Sequence, residues 1–402
     1  MSVYVARSPI FNQAMDTFGY ELVYNSGSPD RTGQTSTSPV GFCFETDQPL
    51  AGGRSLIIGG DPRDLARSLA QSNRADNTVV TIPASLEVSG DVMDAAHKLE
   101  QLGARLVIDG INTTHLHHAL LDLASFVRLN AAQDWDEVAK TARSLAGSHL
   151  ELMASHVDTE ETFNDLKDLG VNYFAGGFLS SAPEHSSTEL PSLATSRLLL
   201  LREINQPDLD IDSLARVIGT DVAMTYRLLR LVNSAAIGLR QHVTSVKHAA
   251  MMLGLNGVRK WAAVLVLQEL GSPKSPELMI QSLIRAAFCE SIAQRGPLFD
   301  RGGELYLLGL FSMIDALLSF PLEAILPQLP LAPDLKAALE GEENEVSRVL
   351  DLVTAYENAN WPVVDQIAGE FAQHEERIAL AYRQAVEAAT ELAADWLVVE
   401  AG

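Results

Sequence analysis

The sequence predicts a multidomain protein of mixed class, in which a small N-terminal (β/α) barrel is followed by an all-α, helical C-terminal domain. The length of 402 residues suggests two or three domains, at about 150 residues each. In the first half, β-rich runs alternate with segments of helical period, which is typical of a parallel sheet. After a polar, proline-bounded segment, Pro183–Pro191, the apolar spacing is helical almost throughout.

Short β-rich runs recur through the first half at a steady spacing. They are Val3–Ala6, Tyr20–Tyr24, Ser55–Ile58, Thr78–Ile82, Arg105–Asp109, Phe126–Asn130, His149–Ala154 and Asn172–Ala175. Segments of helical period separate the later runs, at Val92–Leu102, Leu116–Leu123, Trp135–Leu145 and Glu160–Leu169. Such strands can close into a barrel, although about 180 residues is below the usual size of that fold. An open, doubly wound sheet is the alternative.

The composition argues against several classes of partner. A net charge of -23 opposes non-specific binding to nucleic acid or to an anionic membrane surface. The two cysteines, Cys43 and Cys289, form no CxxC motif, so they predict neither a disulfide framework nor a cysteine zinc site. The chain does not begin like a signal peptide, and no apolar stretch reaches the roughly 18 residues of a membrane span. We therefore expect a cytoplasmic protein with no membrane or nucleic-acid partner.

Two stretches of the first half carry a family resemblance. They are Tyr4-Val5-Ala6-Arg7-Ser8-Pro9-Ile10-Phe11 with Gly19-Tyr20-Glu21-Leu22, and Val157-Asp158-Thr159-Glu160-Glu161 with Gly177-Phe178-Leu179-Ser180. They resemble the start and the end of EAL-type cyclic di-GMP phosphodiesterase domains in their EAL–HDOD variant. The resemblance covers nearly all of residues 1–183, and it implies a barrel whose metal-binding residues lie at strand ends.

The same resemblance implies a degenerate enzyme. Active members of the family bind two metal ions through acidic residues and an asparagine, and Glu21 and Asp109 match two of the acids. At the other positions this chain has a different residue from the family. It has Gly59-Gly60 where the family has the asparagine, Thr81 and Ser155 where it has glutamates, Gly110 where it has the second aspartate, Arg128 where it has a lysine and Gly176 where it has a glutamine. We therefore predict no catalytic residue, no cofactor and no metal, with Glu21 and Asp109 as relic positions. Arg128 could hold a phosphate, but pairing with Asp109 inside the barrel is favoured.

The second half resembles another family. The motifs are Leu228-Leu229-Arg230-Leu231-Val232-Asn233-Ser234-Ala235, Val243-Thr244-Ser245-Val246, Leu253-Gly254-Leu255 and Val258-Arg259-Lys260-Trp261, then Leu308–Ala316, and Ala355-Tyr356-Glu357 with Trp361. They are similar to the HDOD architecture, which implies a metal-free relative of the HD phosphohydrolases. In agreement with this, no histidine in the chain is followed by aspartate. The predicted domains are residues 1–183, an EAL-like barrel, and residues 190–402, an HDOD helical domain with its core at 190–361 and a C-terminal helical extension.

Two clusters of side chains are candidates for binding. His115 and His118 lie three residues apart, but no acid or cysteine accompanies them in sequence, so an ordinary helix face is favoured over a metal site. Between Ser213 and Lys260 there are seven cations and one acid, Asp221. This excess predicts either a docking surface for an anionic partner or arginines that bridge helices. The candidate partner-binding residues are Arg227, Arg230, Arg240, Lys247, Arg259 and Lys260.

Together these features predict a non-enzymatic bacterial signal-transduction adaptor that acts through an unidentified signalling protein. Family analogy places it in pathways related to cyclic di-GMP, motility or surface behaviour. One alternative is a receptor that binds a cyclic dinucleotide without cleaving it, which is disfavoured because only Arg128 is a clear cation at the barrel mouth. The other is a residual cyclic di-GMP phosphodiesterase, which requires metal ligands that the sequence does not show.

Overall fold

The computed structural model describes residues 4–25, 48–71, 77–116, 118–180, 192–206, 208–233, 243–270, 276–294, 298–371 and 374–400. These residues form two compact units, which are described separately. The first contains the described residues of Met1–Ser181, Lys274–Glu277 and Leu352–Gly402. The second contains those of Ala182–Pro273 and Leu278–Asp351.

The strands of the first unit close into a barrel, with neighbours in sequence order. They are β1 (Val5–Asn12), β2 (Thr17–Tyr24), β3 (Ser55–Gly59), β4 (Thr78–Pro83), β5 (Arg105–Asp109), β6 (Phe126–Asn130), β7 (Glu151–Ser155) and β8 (Tyr173–Phe174). β1 runs antiparallel to both β2 and β8, and all other neighbouring pairs are parallel. The predicted barrel is confirmed, and its closure excludes the open sheet.

Short helices connect the parallel strands. They are α1 (Gln48–Ala51), α2 (Pro62–Leu69), α3 (Gly90–Gln101), α4 (Trp135–Leu145) and α5 (Glu160–Asp168). Each helix from α2 to α5 begins at a residue whose side chain accepts a backbone N–H of the first turn. These N-caps are Asp61, Ser89, Asp134 and Thr159.

The described residues of Leu116–Leu123, which are 116 and 118–123, do not form the predicted helix. A short 3-10 turn, Thr113–His115, occupies the connection between β5 and β6 instead. The backbone N–H of Leu120 donates to Nδ1 of His118 at 3.3 Å. A local side chain–backbone bond of this kind competes with the helical hydrogen-bond ladder, which explains why the helical spacing does not produce a helix here.

The described residues of the second unit are helical and turn structure. The helices are α6 (Ser192–Ile204), α7 (Ile211–Gly219), α8 (Val222–Val232), α9 (Val246–Leu270), α10 (Pro276–Ala293), α11 (Gly302–Phe311), α12 (Ile314–Leu318), α13 (Leu322–Ile325) and α14 (Pro333–Leu339). The first two residues of α10, Pro276 and Glu277, belong to the first unit. Fully buried Leu214, Met224 and Val258 belong to the core that α6 to α9 share. The N-cap of α7 is Asp210, whose side chain accepts the backbone N–H of Ser213.

One helix is long and apolar enough to cross a membrane, which the sequence analysis did not expect. α9 has 25 residues and a mean hydropathy of 1.3 in its most apolar window. Gly254 interrupts it with a φ of 72°, a left-handed conformation that glycine adopts without strain. Nine of its side chains are buried within the unit. Because core helices of soluble proteins pass the same test, the absence of a membrane partner stays a prediction.

The C-terminal helices pack on the barrel. They are α15 (Glu345–Glu357), whose residues from 352 onward belong to the first unit, α16 (Trp361–Glu370) and α17 (Glu375–Glu400). Tyr4, immediately before β1, stacks on Trp361 and meets Tyr356 edge-on, with ring centroids 5.4 Å apart in both pairs. The backbone N–H of Val5 donates to the hydroxyl of Tyr356 at 3.2 Å, and that of Arg7 donates to Tyr382 at 3.1 Å.

The antiparallel hairpin of β1 and β2 explains this packing. A parallel crossover brings a helix that covers the outer face of the barrel, whereas a tight hairpin brings none. The outer face of β1 therefore needs another cover, and the C-terminal helices supply it. The sequence analysis grouped Tyr356 and Trp361 with the helical domain, whereas both rings contact Tyr4, and Tyr356 also contacts Trp361 and Tyr382. The limits of independently folding domains, 1–183 and 190–402, stay a prediction.

Candidate functional site

A guanidinium held between two carboxylates lies inside the barrel, toward the carboxyl ends of the parallel strands. Strand side chains alternate between the two faces of a sheet. Phe126 of β6 and Val107 of β5 belong to the barrel core. Two residues further along, Arg128 and Asp109 therefore face the same interior, and Glu21 reaches it from β2.

We call Glu21, Asp109 and Arg128 the mouth triad. Nη1 of Arg128 donates to both carboxylate oxygens of Glu21 at 2.7 Å, and its Nε donates to Oδ1 of Asp109 at 2.7 Å. The Arg128 side chain is only 9% exposed, against 20% for Glu21 and 34% for Asp109. The favoured pairing of Arg128 with Asp109 is thus present. The bond to Glu21, which crosses the barrel, was not anticipated.

The two carboxylates keep the guanidinium charged. Burial alone would lower the pKa of Arg128, but the hydrogen bond to Asp109 and the negative charges of Glu21 and Asp109 hold it above its ordinary value. One guanidinium and two carboxylates leave the mouth triad with a net negative charge. No described residue accepts a hydrogen bond from Nη2 of Arg128, so two N–H donors are available to a ligand.

Backbone geometry explains two of the departures from the EAL pattern. Gly176 has a φ of 152°, and a Cβ there would lie 2.2 Å from the carbonyl oxygen of Val157. Gly110 has a φ of 74°, which a side chain would make strained. Thr81 faces the interior from β4, and its buried hydroxyl has no hydrogen-bond partner among the described residues. Ser155 donates to the carbonyl oxygen of Leu129 at 3.4 Å.

The residues of this mouth do not fit the pair of divalent cations that the EAL resemblance implies. A two-metal site needs several converging oxygen ligands. The mouth offers two carboxylates, Glu21 and Asp109, and both are bound by one guanidinium. Across the residues that the structure describes, no group of three or more His, Cys, Asp or Glu side chains is placed to hold a metal ion.

The histidine pair does not form a ligand set either. Burial, followed by the proximity of His115, lowers the pKa of His118 below its ordinary value, which favours the neutral ring. Nδ1 of His115 and Nε2 of His118 are buried without a hydrogen-bond partner in the described part of the chain. His117 lies outside the described residues.

The six candidate cations of the second unit do not share one arrangement. Arg227 pairs with Glu269 at 3.2 Å, Lys247 pairs with Asp212 at 2.5 Å, and Lys260 pairs with Glu290. Arg240 lies outside the described residues.

Arg259 and Arg230 differ from these pairs. Arg259 donates to the backbone carbonyl oxygens of Ile204, the last residue of α6, and of Gln206 just beyond it, at 3.2 and 2.7 Å. Arg230 is exposed on α8. The sequence analysis missed two of its neighbours, since Val222 and Tyr226 lie on the same face of α8 and are 83% and 63% exposed.

Comparison with known proteins adds a domain assignment and two relatives. Residues 190–325 match the model of the HDOD domain family, which confirms an HDOD domain in the second half. The chain is 29% identical over 377 residues to CdgJ of Vibrio cholerae serotype O1, which is named a cyclic di-GMP phosphodiesterase; the match covers 91% of this chain and 87% of CdgJ. It is 25% identical over 391 residues to the uncharacterized protein YuxH of Bacillus subtilis, covering 93% of this chain and 95% of YuxH.

Among solved structures, an EAL domain protein from Listeria monocytogenes EGD-e matches 44% of this chain and 86% of its own, at 12% identity and a TM-score of 0.36.

The similarity to CdgJ corrects one prediction. The sequence analysis concluded from the missing carboxylates that the chain is not an enzyme. A protein that aligns with 91% of the chain is named a phosphodiesterase, so that conclusion is wrong as drawn.

Proposed function

We propose that this chain acts in cyclic di-GMP signalling and that its barrel engages the dinucleotide at the mouth triad. The observation that carries the proposal is the buried Arg128, oriented by Glu21 and Asp109 with the donors of Nη2 available. A guanidinium fixed in this way recognises an acceptor without losing much side-chain freedom on binding. The similarity to CdgJ, whose name specifies cyclic di-GMP, supports the choice of ligand.

The charge of the mouth triad favours a base over a phosphate as the group that meets Arg128. Glu21 and Asp109 flank the guanidinium and repel a phosphate anion. The neutral acceptors of guanine, O6 and N7, avoid this repulsion and are frequent partners of arginine. Carboxylate oxygens can in turn accept from the N1–H and the amino group of the same base. We therefore expect the guanine edge to face the mouth triad.

Titration calorimetry with cyclic di-GMP, with and without magnesium, tests this proposal. We expect saturable binding by the full chain, weaker by about 10-fold or more in Arg128→Lys, because a charged hydrogen bond contributes about 1.5–3 kcal/mol. Arg105→Ala is the matched control, since Arg105 lies on β5 near Phe18 and Phe126 in the same barrel. Cyclic di-AMP should bind more weakly than cyclic di-GMP, because adenine lacks O6.

The same samples are assayed for hydrolysis with magnesium or manganese. Turnover also requires that the chain engage cyclic di-GMP, so it supports the proposal. If the full chain neither binds nor turns over the dinucleotide, the proposal is wrong. Equal affinity of the Arg128 variant and the wild type would move the site away from the mouth triad.

We also propose that the HDOD-containing half binds a protein partner through one face of α8. Val222, Tyr226 and Arg230 are spaced four residues apart and form an exposed stripe. Tyrosine and arginine are the side chains that most often dominate binding at interfaces. An apolar stripe that ends in a cation fits an amphipathic, acidic helix. Few phosphate-binding cations accompany it, so nucleic acid fits less well.

This partner site is tested by fluorescence anisotropy with two labelled amphipathic peptides, one acidic and one with glutamine at every acid. We expect the wild type to prefer the acidic peptide, and Arg230→Glu to lose that preference with a change in unfolding free energy below about 0.5 kcal/mol. Arg216→Glu, at an exposed position of α7, is the control. If the wild type does not discriminate between the peptides, the stripe is not an acidic docking site.

A further inference from the structure

We infer that helix α10 is coupled to the barrel mouth through strand β2, so that the state of the mouth triad sets how firmly the barrel holds the first turn of this helix. The route runs from Glu21 through its neighbour Tyr20 to Glu277. Where a dinucleotide changes the state of the mouth triad, the inference rests on the proposed function. The coupling itself needs no ligand, because a substitution of Glu21 also changes that state.

Neighbouring residues of β2 carry the two ends of this route. Side chains alternate along a strand, so Glu21 points into the barrel and Tyr20 points out of it. Inside, both carboxylate oxygens of Glu21 accept from Nη1 of Arg128 at 2.7 Å. Outside, the hydroxyl of Tyr20 donates to Oε2 of Glu277 at 2.6 Å. One short length of strand therefore joins two hydrogen-bonded sites in which a carboxylate is the acceptor.

The outer end of the route is packed too tightly to absorb a movement of the strand. Tyr20 and Glu277 are both buried. The guanidinium of Arg7, on the antiparallel neighbour β1, lies 4.1 Å from the centre of the Tyr20 ring, and its Nη2 lies 3.6 Å from Oε1 of Glu277. Thr17, at the start of β2, donates to Oε2 of the same carboxylate at 3.3 Å. Because close-packed interiors transmit small displacements, a shift of β2 reaches Glu277.

Helix α10 extends the route along the chain. Glu277 belongs to the first unit, and residues 278–293 of the same helix belong to the second. Within the second unit, the buried hydroxyl of Ser282 donates to the backbone carbonyl oxygen of Leu310, on α11, at 2.7 Å. Hydrogen bonds and rigid secondary-structure elements of this kind carry energetic coupling between distant sites. A change at the first turn of α10 is therefore passed on to the helix that contributes Ser282 to the HDOD-containing half.

The hydrogen bonds of Glu21 fix the direction of the effect. Glu21 restrains β2 because the buried guanidinium of Arg128 binds both of its oxygens. Glu21→Gln removes the charge and one of the two acceptor oxygens, so β2 is held less firmly and the bond from Tyr20 to Glu277 weakens. The first turn of α10 then opens more often, and its backbone amides exchange faster with solvent. A guanine edge that donates to Glu21 adds restraint and slows the same exchange.

Hydrogen–deuterium exchange of the full chain tests the coupling at the amides of residues 280–283, whose acceptors are the carbonyls of the first turn of α10. In the ligand-free chain we expect Glu21→Gln to speed this exchange about 5-fold, the lower end of the usual range for coupled sites. The same substitution in a Tyr20→Phe background should have no effect, because the bond to α10 is lost. Glu151→Gln and Tyr173→Phe are the matched controls, since they alter a hydroxyl–carboxylate bond elsewhere in the barrel.

Three results would overturn the inference. One is equal exchange at residues 280–283 in Glu21→Gln and in the wild type. Another is faster exchange that persists in the Tyr20→Phe background or that Glu151→Gln also produces. The third is unchanged exchange in the wild type at a cyclic di-GMP concentration that saturates it in the calorimetry.

The comparison of ligand-free variants separates this inference from the proposed function. If calorimetry shows no dinucleotide binding, the proposed function fails, while the effect of Glu21→Gln on α10 still decides the coupling. If Tyr20→Phe does not fold, the double variant Arg7→Met/Glu277→Met cuts the same link, because it replaces the buried ion pair by apolar side chains and leaves no charge unpaired.

Discussion

A variant truncated after Asp351 is expected to lose the folded barrel, because the segment it lacks is not a dispensable tail. The missing segment supplies Tyr356 and Tyr382, both among the largest fully buried side chains. Removing one large buried aromatic side chain costs about 3–5 kcal/mol, and a whole domain is stable by only about 5–15 kcal/mol. The truncation removes both at once and uncovers the outer face of β1. Circular dichroism and urea unfolding of the truncated and full-length chains measure the effect.

Single substitutions in the same segment separate packing from chain length. Tyr356→Ala should lose about 3–5 kcal/mol of stability, whereas Tyr356→Phe keeps the ring contacts and loses the hydrogen bonds to Val5, at a cost of about 1 kcal/mol. Leu380→Ala, at a position 42% exposed on α17, should change stability by less than about 0.5 kcal/mol. An unchanged unfolding transition after truncation at Asp351 would show that the C-terminal helices do not stabilise the barrel.

Substitution of Arg7 by methionine is expected to have the second largest effect. Arg7 on β1 and Glu277 form an ion pair at 3.6 Å, with side chains 3% and 1% exposed. The hydroxyl of Tyr20 donates to Oε2 of Glu277 at 2.6 Å, and the guanidinium of Arg7 lies 4.1 Å from the centre of the Tyr20 ring. Breaking a buried pair on one side leaves the other charge uncompensated and costs about 3–5 kcal/mol. Urea unfolding of Arg7→Met measures this loss.

The loss of stability in Arg7→Met should depend on pH. Burial raises the pKa of the Glu277 carboxyl above its ordinary value, although Arg7 acts in the opposite direction. Without Arg7 this folded-state pKa rises further. A carboxyl whose pKa is higher in the folded state than in the unfolded state stabilises the fold at pH values below the unfolded-state pKa. This contribution is lost as the pH rises through the folded-state pKa. Arg7→Met should therefore be less destabilised at about pH 5 than at about pH 8.

The double variant Arg7→Met/Glu277→Gln is the matched control for this pH dependence. Glutamine does not ionise, so the extra loss at high pH should disappear in the double variant. If Arg7→Met is equally destabilised at both pH values, the Glu277 carboxyl does not titrate as proposed. If the single variant is as stable as the wild type, the pair contributes no net stability to the barrel unit.

Local sequence patterns predicted the secondary-structure elements of both halves. They predicted the ends of those elements and their packing partners less well. Short β-rich runs such as Arg105–Asp109 and Phe126–Asn130 identified strands with the observed bounds. The predicted helix over Trp135–Leu145 is also observed at those bounds. The pattern failed at Leu116–Leu123, where a histidine side chain bonds to the nearby backbone. A single local hydrogen bond of this kind is not visible in the spacing of apolar residues.

The mouth triad shows where sequence reasoning about a site stops. The sequence analysis favoured a pairing of Arg128 with Asp109 inside the barrel, and the structure shows this pairing. The sequence analysis did not show that Arg128 also reaches Glu21, which is 107 positions away in the chain. Which inward side chains meet across a barrel depends on its diameter and on the stagger of its strands, and neither quantity is encoded in one strand. The cations of the second unit illustrate the same limit, because Arg227 and Lys260 are neutralised by acids from other helices.

The sequence by itself determined that this protein has a strand–helix half followed by a helical half, and it predicted that Thr81, Gly110 and Ser155 stand where the EAL resemblance implies carboxylates. These properties are local, since they depend on residue type and on spacing within a few turns or strands. Only the tertiary structure decided that residues 352 onward complete the barrel unit and that the single guanidinium of Arg128 bonds to both Glu21 and Asp109. The physical reason is that burial and ion pairing depend on which distant surfaces are left uncovered when the chain closes. The face left open by the β1–β2 hairpin is covered by aromatic side chains more than 350 residues away.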